Sequence, residues 1–387
     1  DLKAQRGNIP ALSLDTARDL FLDDKTVFLE YVVTPEKLYL FVLTSKSGNL
    51  DLKVHQINIS EKNLTTEINR FRQRMADRNP AFMEMAHRLY NLLLQSAEDE
   101  LHGKTILCFI PDGSLWNMPF QALQTTNDQY VLEEYALYYA PSLSVLRETF
   151  KEKAQRSVQL PASLLAFGNP ALQREVLANS RTGNTSGTFP PLPEAAREVR
   201  TLGKIYSPEQ SAVFTGAAAT KERFKRLAGR YSVLHLATHA IFNDQNPMYS
   251  SLLLSSSKND PDDDGLLQAW EIMQMELPAD LVVLSACQTA RGSIGKGEGI
   301  IGMSWALFVA GARTTVASQW SVDSVSTTEL MSLFHANMAH TNMNIHANRT
   351  LVTKAEALRQ AALTVAKDPK YAHPFYWAAF VVIGDGR

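Results

Sequence analysis

Three runs near the start of the chain, 26–34 (TVFLEYVVT), 37–44 (KLYLFVLT) and 50–58 (LDLKVHQIN), are rich in β-branched and aromatic residues. Short turns containing Pro35 or Gly48 separate them, and this pattern predicts an antiparallel meander. Apolar positions then take up a helical period over about 61–75 and 80–98. Strand-like runs return at 104–110 (KTILCFI), which closes on the turn Pro111-Asp112-Gly113, and at 135–140 (YALYYA), before a helix from about Ser142.

From Ser163 onward near-continuous apolar runs alternate with amphipathic ones. The predicted strands are 163–167, 211–214, 232–238, 251–255, 281–286, 313–319 and 376–383. Predicted helices lie at about 193–205, 219–228, 266–276, 298–310, 324–339 and 350–367. Apolar strands separated by helices imply a largely parallel sheet covered on both faces. The expected fold class is therefore α/β, a mostly parallel sheet flanked by helices, preceded by a smaller α+β region that holds the meander. The division expected is an N-terminal subdomain over 1–160 and a second subdomain over 161–387. Two polar stretches, 171–190 and 256–264, read as loops, the first of them mobile and protease-accessible. The sequence contains no recognisable repeat.

Composition narrows the function classes. Apolar residues make up 45%, ample for a sizeable core, and the formal net charge of −2 gives no electrostatic reason to expect nucleic acid or an anionic membrane as partner. No stretch reaches the roughly 20 apolar residues of a membrane-spanning helix, and no signal peptide opens the chain. Two cysteines form no disulfide framework and suit a reducing compartment, so a cytoplasmic location is expected. The chain opens on Asp1, from which a fragment or processed form is expected.

In open α/β sheets ligands bind outside the carboxyl ends of the strands. Two segments present reactive groups there: VLHLATHA leads to His239, and LVVLSAC leads to Cys287. A thiolate attacks carbonyls and an imidazole shuttles protons, so one of each on adjacent strand ends is the minimum for acyl transfer. Taken singly, each residue has a plainer reading, a buried thiol packing as a small hydrophobe and a hydrogen-bonded histidine. Cys108, inside TILCFIP with no loop after it, reads as core, and His235, within its strand, as structural.

Several motifs together resemble the CHAT domain: IPDGSLWNMPFQAL, YALYYAPSLSVL, LLAFGNP, LHLATHA, DGLLQAWEI, LVVLSACQTA, GEGIIGMSWALFVAGARTTVASQWSVD and HPFYWAAFVVIGD, in that order over about residues 100–387. CHAT proteins belong to the caspase and separase clan of cysteine peptidases. The resemblance implies a caspase-like sheet with Cys287 as nucleophile and His239 as proton donor to the leaving group. Many relatives carry glycine after the histidine; here Ala240 holds that place, and its backbone N–H with that of Cys287 is the implied oxyanion site. ASQWSVD lies where the clan shapes its specificity pocket. Trp320 would form an apolar wall and Asp323 would pair with a basic side chain, as in cleavage after arginine or lysine. Asp323 equally suits an N-cap for the helix that follows.

The function expected is that of a cysteine endopeptidase acting on a protein or peptide substrate through an acyl-enzyme, with no cofactor and no metal. CHAT domains commonly follow tetratricopeptide repeats, which implies regulation through an upstream repeat region or a partner. The alternative is a catalytically silent scaffold or interaction module. No position in the sequence compels a third catalytic residue.

Three further patterns lead elsewhere. GEGIIG (Gly297, Gly299, Gly302) satisfies the dinucleotide fingerprint, but some ten residues separate it from the strand end where a pyrophosphate would have to sit, so 292–299 reads as a flexible loop. DPDDDGLLQAWE, Asp260 to Glu271, fits the spacing of a calcium loop, yet a strand precedes it where an EF-hand needs a helix. His335, His340 and His346 lack a cysteine or carboxylate to complete a zinc site. Arg174 and Arg181, in the first polar loop, are candidates for self-processing.

Overall fold

In the computed structural model, which describes residues 12–155, 162–172, 189–243, 245–257, 263–285, 287–288, 298–343 and 352–387, the meander forms as its alternation predicts. Strands β1 (Thr26–Val33), β2 (Leu38–Lys46) and β3 (Asn49–Ile57) pair antiparallel in unbroken register. Ser47 and Gly48, with φ of 50° and 79°, make the left-handed two-residue turn whose twist suits a hairpin. Helices α1 (Glu61–Ala76) and α2 (Phe82–Leu93), strands β4 (Ile106–Ile110) and β5 (Ala136–Tyr139), and helix α3 (Leu143–Gln155) follow. The run at 80–98, read as one helix, breaks at Leu94, where φ swings to −124°.

The alternating region contributes β6 (Leu164–Pro170), α4 (Pro193–Ile205), β7 (Ser211–Gly216), α5 (Lys221–Leu227), β8 (Val233–Ala237) and β9 (His239–Ile241). Next come β10 (Ser251–Leu253), β11 (Leu266–Gln268), α6 (Ala269–Met273), β12 (Leu281–Leu284) and β13 (Cys287–Gln288). Then follow α7 (Glu298–Ala310), β14 (Thr314–Ser318), α8 (Ser324–Met343), α9 (Lys354–Ala366) and β15 (Phe380–Gly384).

Contacts divide the chain into two units, one of residues 1–157 with 353–387, the other of 158–352. The last 35 residues group with the first unit. The reason is a long-range pairing: β15 joins β5 in parallel, Ile383 opposite Tyr139. The first unit's strands run β3-β2-β1-β4-β5-β15, antiparallel through the meander and parallel from β1 onward. An apolar strand such as FVVIG carries no mark of which neighbour it will choose.

In the second unit β14-β12-β8-β6-β7 form a wholly parallel arrangement. A separate small sheet, β11-β10-β9-β13, stands beyond it. Two predicted elements are corrected here. The apolar run 251–255 belongs to the small sheet, and the stretch 266–276, expected as a helix, opens as strand β11 before α6 begins. Gly265, at φ 69°, turns the chain so that Leu267 pairs with Leu252, and burial of both outweighs the helical pattern.

Alternation along β8 separates two environments. Leu234 and Leu236, paired with Val282 and Leu284 of β12, join Phe167, Phe224, Met303 and Leu307 in the core on one face. His235 points to the other face, toward α4 and α8. Helix α4 lies so close to β6 that a Cβ on Gly168 would stand 2.6 Å from the Ala195 carbonyl oxygen.

Candidate active site

Strands β8 and β12 are parallel neighbours, with Leu236 opposite Leu284. Both chains then leave the main sheet after a short break, and both resume as parallel neighbours in the small sheet, with His239 opposite Cys287 and Ala240 opposite Gln288. Three positions further along each chain the register is therefore unchanged. That shared register brings the two candidate residues, 48 positions apart in sequence, side by side in the backbone; the Cys287 side chain lies outside the described residues. The Thr238 hydroxyl donates to the Leu253 carbonyl and fixes the step between β8 and β9.

His239 is 3% exposed. Its Nε2–H donates to the Pro190 carbonyl oxygen at 2.8 Å, and the Phe189 ring lies 5.0 Å away, centroid to centroid. Its Nδ1 is buried with no hydrogen-bond partner among the described residues. Burial pushes the imidazole below its ordinary 6.5, and the bond to Pro190 opposes this only in part. At neutral pH the ring is therefore uncharged, with its proton on Nε2 and a lone pair on Nδ1.

The segment carrying Pro190 is itself held. Asn169, at the end of β6 with φ 47°, accepts the Leu192 N–H on its Oδ1 at 2.7 Å. Asparagine tolerates that left-handed conformation better than most residues. Neither Asn169 nor Pro190 was singled out from sequence. The conformational signal was present in the FGNP and PPLP stretches, but the contact between them joins segments 23 positions apart.

Ala240 lies in β9 between Leu252 of β10 and Gln288 of β13. Trp320 is buried two residues past β14, whose strand neighbours β12, so the carboxyl ends of β8, β12 and β14 lie side by side. Asp323 accepts the Ser326 N–H on Oδ1 at 2.9 Å and caps α8, the alternative reading of that residue.

The other candidates fall away from this site. Cys108 is fully buried in β4, where desolvation pushes its thiol far up, away from the reactive thiolate. Of the calcium-loop carboxylates, Asp264 is paired with Lys221, and Glu271 with both Lys221 and Lys225. Asp260 and Asp262 lie outside the described residues, as do the polar loop with Arg174 and Arg181, the glycines before Glu298, and His346. Among the described residues no group of three or more His, Cys, Asp or Glu side chains is placed to hold a metal ion.

Residues 83–385 match the family described as the CHAT domain, more than half of the chain. The chain belongs to the CHAT domain family. This CHAT domain is 25% identical over 340 residues to human tetratricopeptide repeat protein 28, and 24% identical over 341 residues to its mouse counterpart. In each case 76% of the chain is matched, yet it spans only 13% of the relative's length. In three dimensions the CHAT domain is similar to separase in the Saccharomyces cerevisiae separase–securin complex, with a TM-score of 0.56 and 11% identity. That match covers 96% of this chain and 30% of separase. The fold is thus the caspase- and separase-like α/β fold. Among the described residues no helix of the CHAT domain is long and apolar enough to cross a membrane.

Proposed function

We propose that this CHAT domain is a cysteine endopeptidase with a Cys287/His239 dyad, acting on a protein or peptide substrate. The observation that carries the reading is the parallel register of β9 and β13, which sets His239 beside Cys287 while Pro190 orients the ring and leaves Nδ1 without a partner among the described residues. The Cys287 thiol hands its proton to Nδ1, and sulfur bonds to the scissile carbonyl carbon. The developing oxyanion takes the N–H groups of Cys287 and Ala240. As the carbon–nitrogen bond breaks, the proton on Nδ1 passes to the departing amine. Water then attacks the thioester, returning a proton through Nδ1 to the sulfur and releasing the acid. Pro190 acts through its carbonyl oxygen alone, holding the ring's orientation and tautomer.

Asp323, beyond the buried Trp320, supplies the negative charge for a preference for arginine or lysine before the cleaved bond. A cytoplasmic setting would keep Cys287 reduced, and the repeats in the relatives' name support regulation through an upstream repeat region or a bound partner. One observation favours the second reading, a silent scaffold or interaction module: His239 is nearly closed to solvent.

Reaction with an arginine-terminated peptidyl acyloxymethyl ketone separates the two. The peptidase reading expects one label per chain in the wild type, none in Cys287→Ala, and labelling slowed by about 10²–10⁴-fold in His239→Ala. Labelling that persists in Cys287→Ala, or is absent from the wild type, removes it. A peptide-library profile indifferent to arginine and lysine would remove the basic preference alone.

A further inference from the structure

The Pro190 carbonyl that orients His239 belongs to a stretch with few donors to hold it. In Pro190-Pro191-Leu192-Pro193 the prolines carry no N–H, so Leu192 has the one backbone donor of the four. That donor goes to Asn169 Oδ1 at 2.7 Å. Between the Pro190 carbonyl and the Leu192 N–H both peptide units are planar and the Pro191 ring locks φ. The Pro191 ψ is the one soft torsion left. An anchor on the Leu192 N–H therefore also fixes the carbonyl oxygen that accepts from His239 Nε2 at 2.8 Å.

The place of Asn169 in the sheet ties this anchor back to the histidine. Gly168, at the end of β6, lies opposite Ala237 of β8, two residues before His239. The register of β6 against β7 shifts between Gly168 and Pro170, so Asn169 is the extra residue of a bulge, a device that re-aims a side chain. Its φ of 47° is a conformation that glycine adopts at lower cost. Asparagine adds what glycine lacks there, the side-chain oxygen that takes the Leu192 N–H. The chain beyond the bulge is held as well, the Ala171 N–H donating to the Ser255 hydroxyl at 2.9 Å. The contacts close a ring, from His239 to Pro190, along Pro191 to Leu192, across to Asn169, and through the β6–β8 ladder back to the strand that leads to His239.

We infer that Asn169 is a positioning residue for His239, holding the Pro190 carbonyl through the Leu192 N–H so that the ring keeps its proton on Nε2 and its lone pair on Nδ1. This deepens the peptidase reading and rests on it for its catalytic consequence, though the tautomer itself is independent of catalysis. Three variants separate the parts. Asn169→Gly keeps the left-handed backbone and removes the acceptor. Asn169→Asp keeps an acceptor oxygen in the same place and tolerates the same φ. Pro191→Ala keeps both hydrogen bonds and frees the torsion between them; Pro191 is exposed, so the change leaves the core intact.

Two quantities are read in the 387-residue chain: the saturating rate of labelling by the arginine-terminated ketone with its half-saturation, and the His239 tautomer at neutral pH from imidazole nitrogen NMR shifts. Among the nine histidines the His239 signal is the one lost in His239→Ala. Wild type and Asn169→Asp are expected to hold the Nε2–H form, and Asn169→Gly to populate both tautomers. Misplacement of a reacting group by about 1 Å predicts a roughly hundredfold slower saturating rate in Asn169→Gly, with half-saturation changed by less than about twofold. Asn169→Asp should stay within about fivefold of wild type, because it keeps the bond to Leu192. Pro191→Ala predicts mixed tautomers and a smaller loss of about tenfold, and it carries the test if Asn169→Gly does not fold.

A folded Asn169→Gly that holds the Nε2–H form overturns the assignment whatever its rate, and so does Pro191→Ala behaving in that way if Asn169→Gly does not fold. An Asn169→Asp protein as slow as Asn169→Gly overturns it too. If the wild type is not labelled, the peptidase reading fails and the tautomer decides the positioning role by itself: mixed forms in Asn169→Gly uphold it, and the Nε2–H form throughout overturns it.

Discussion

His235 and His239 sit four residues apart on consecutive strands, and burial lowers the basicity of both rings. Their surroundings differ in one respect. Both ring nitrogens of His235 have side-chain partners, Glu198 and His335. At His239 Nε2 is bonded to a backbone carbonyl, while Nδ1 is buried without a partner among the described residues. Leaving a buried polar atom unpaired costs about 1–3 kcal/mol, so such an atom is informative where a neighbouring segment can use it. Burial and lowered basicity alone do not separate these two rings; the partners of their nitrogens do.

The sharpest way to break that contrast is to remove each ring in turn. His239→Ala is expected to slow ketone labelling by about 10²–10⁴-fold with little change in the urea midpoint. His235→Ala is expected to do the reverse in kind, destabilising the fold by about 3 kcal/mol, because it strands Glu198 and His335 and leaves a cavity. Equal effects on both measurements would erase the distinction.

A smaller effect sharpens it through pH. The Glu198 carboxyl, raised from 4.5 to about 8, stabilises the fold fully below its unfolded value, and that contribution is lost as pH rises through about 8. His235, lowered from 6.5 to about 3, contributes stability that is present above 6.5 and lost as pH falls toward 3. Between pH 6.5 and 8 the Glu198 contribution therefore acts alone within this pair. Urea titrations are expected to show the wild type losing up to about 2 kcal/mol across that window relative to Glu198→Gln. Parallel pH profiles of the two proteins would contradict the neutral buried pair.

The smallest effect concerns Asp323. Replacing it with alanine removes the α8 cap and should cost about 1 kcal/mol by urea denaturation. If Asp323 also reads a basic residue, the same variant loses its preference for arginine over an apolar residue in the labelling reagent. A lost cap with specificity intact would leave Asp323 a structural residue only.

Much of this was legible before the structure. The meander, the change to alternating strands and helices, the placement of Cys108 in the core and of His235 within a strand all follow from periodicity and flanking residues. The illegible parts share a physical cause. The pairing of β15 with β5, the diversion of β10 and β11 into a second sheet, and the grip of Asn169 on the segment that carries Pro190 are contacts between distant segments. Their local sequences would serve equally well in another pairing. The His335 ring is the clearest case: spacing alone gave it no partner, and it is fully buried against His235 and Tyr206.

Local pattern, then, determined which stretches become strands and helices, and motif order determined the family, because both are written in neighbouring residues. Tertiary structure decided that two chains leaving the main sheet resume in the same register, setting His239 opposite Cys287. It also decided which nitrogen of each buried ring is satisfied. Hydrogen bonds between segments tens of residues apart settle both matters, and no single segment contains the information for them.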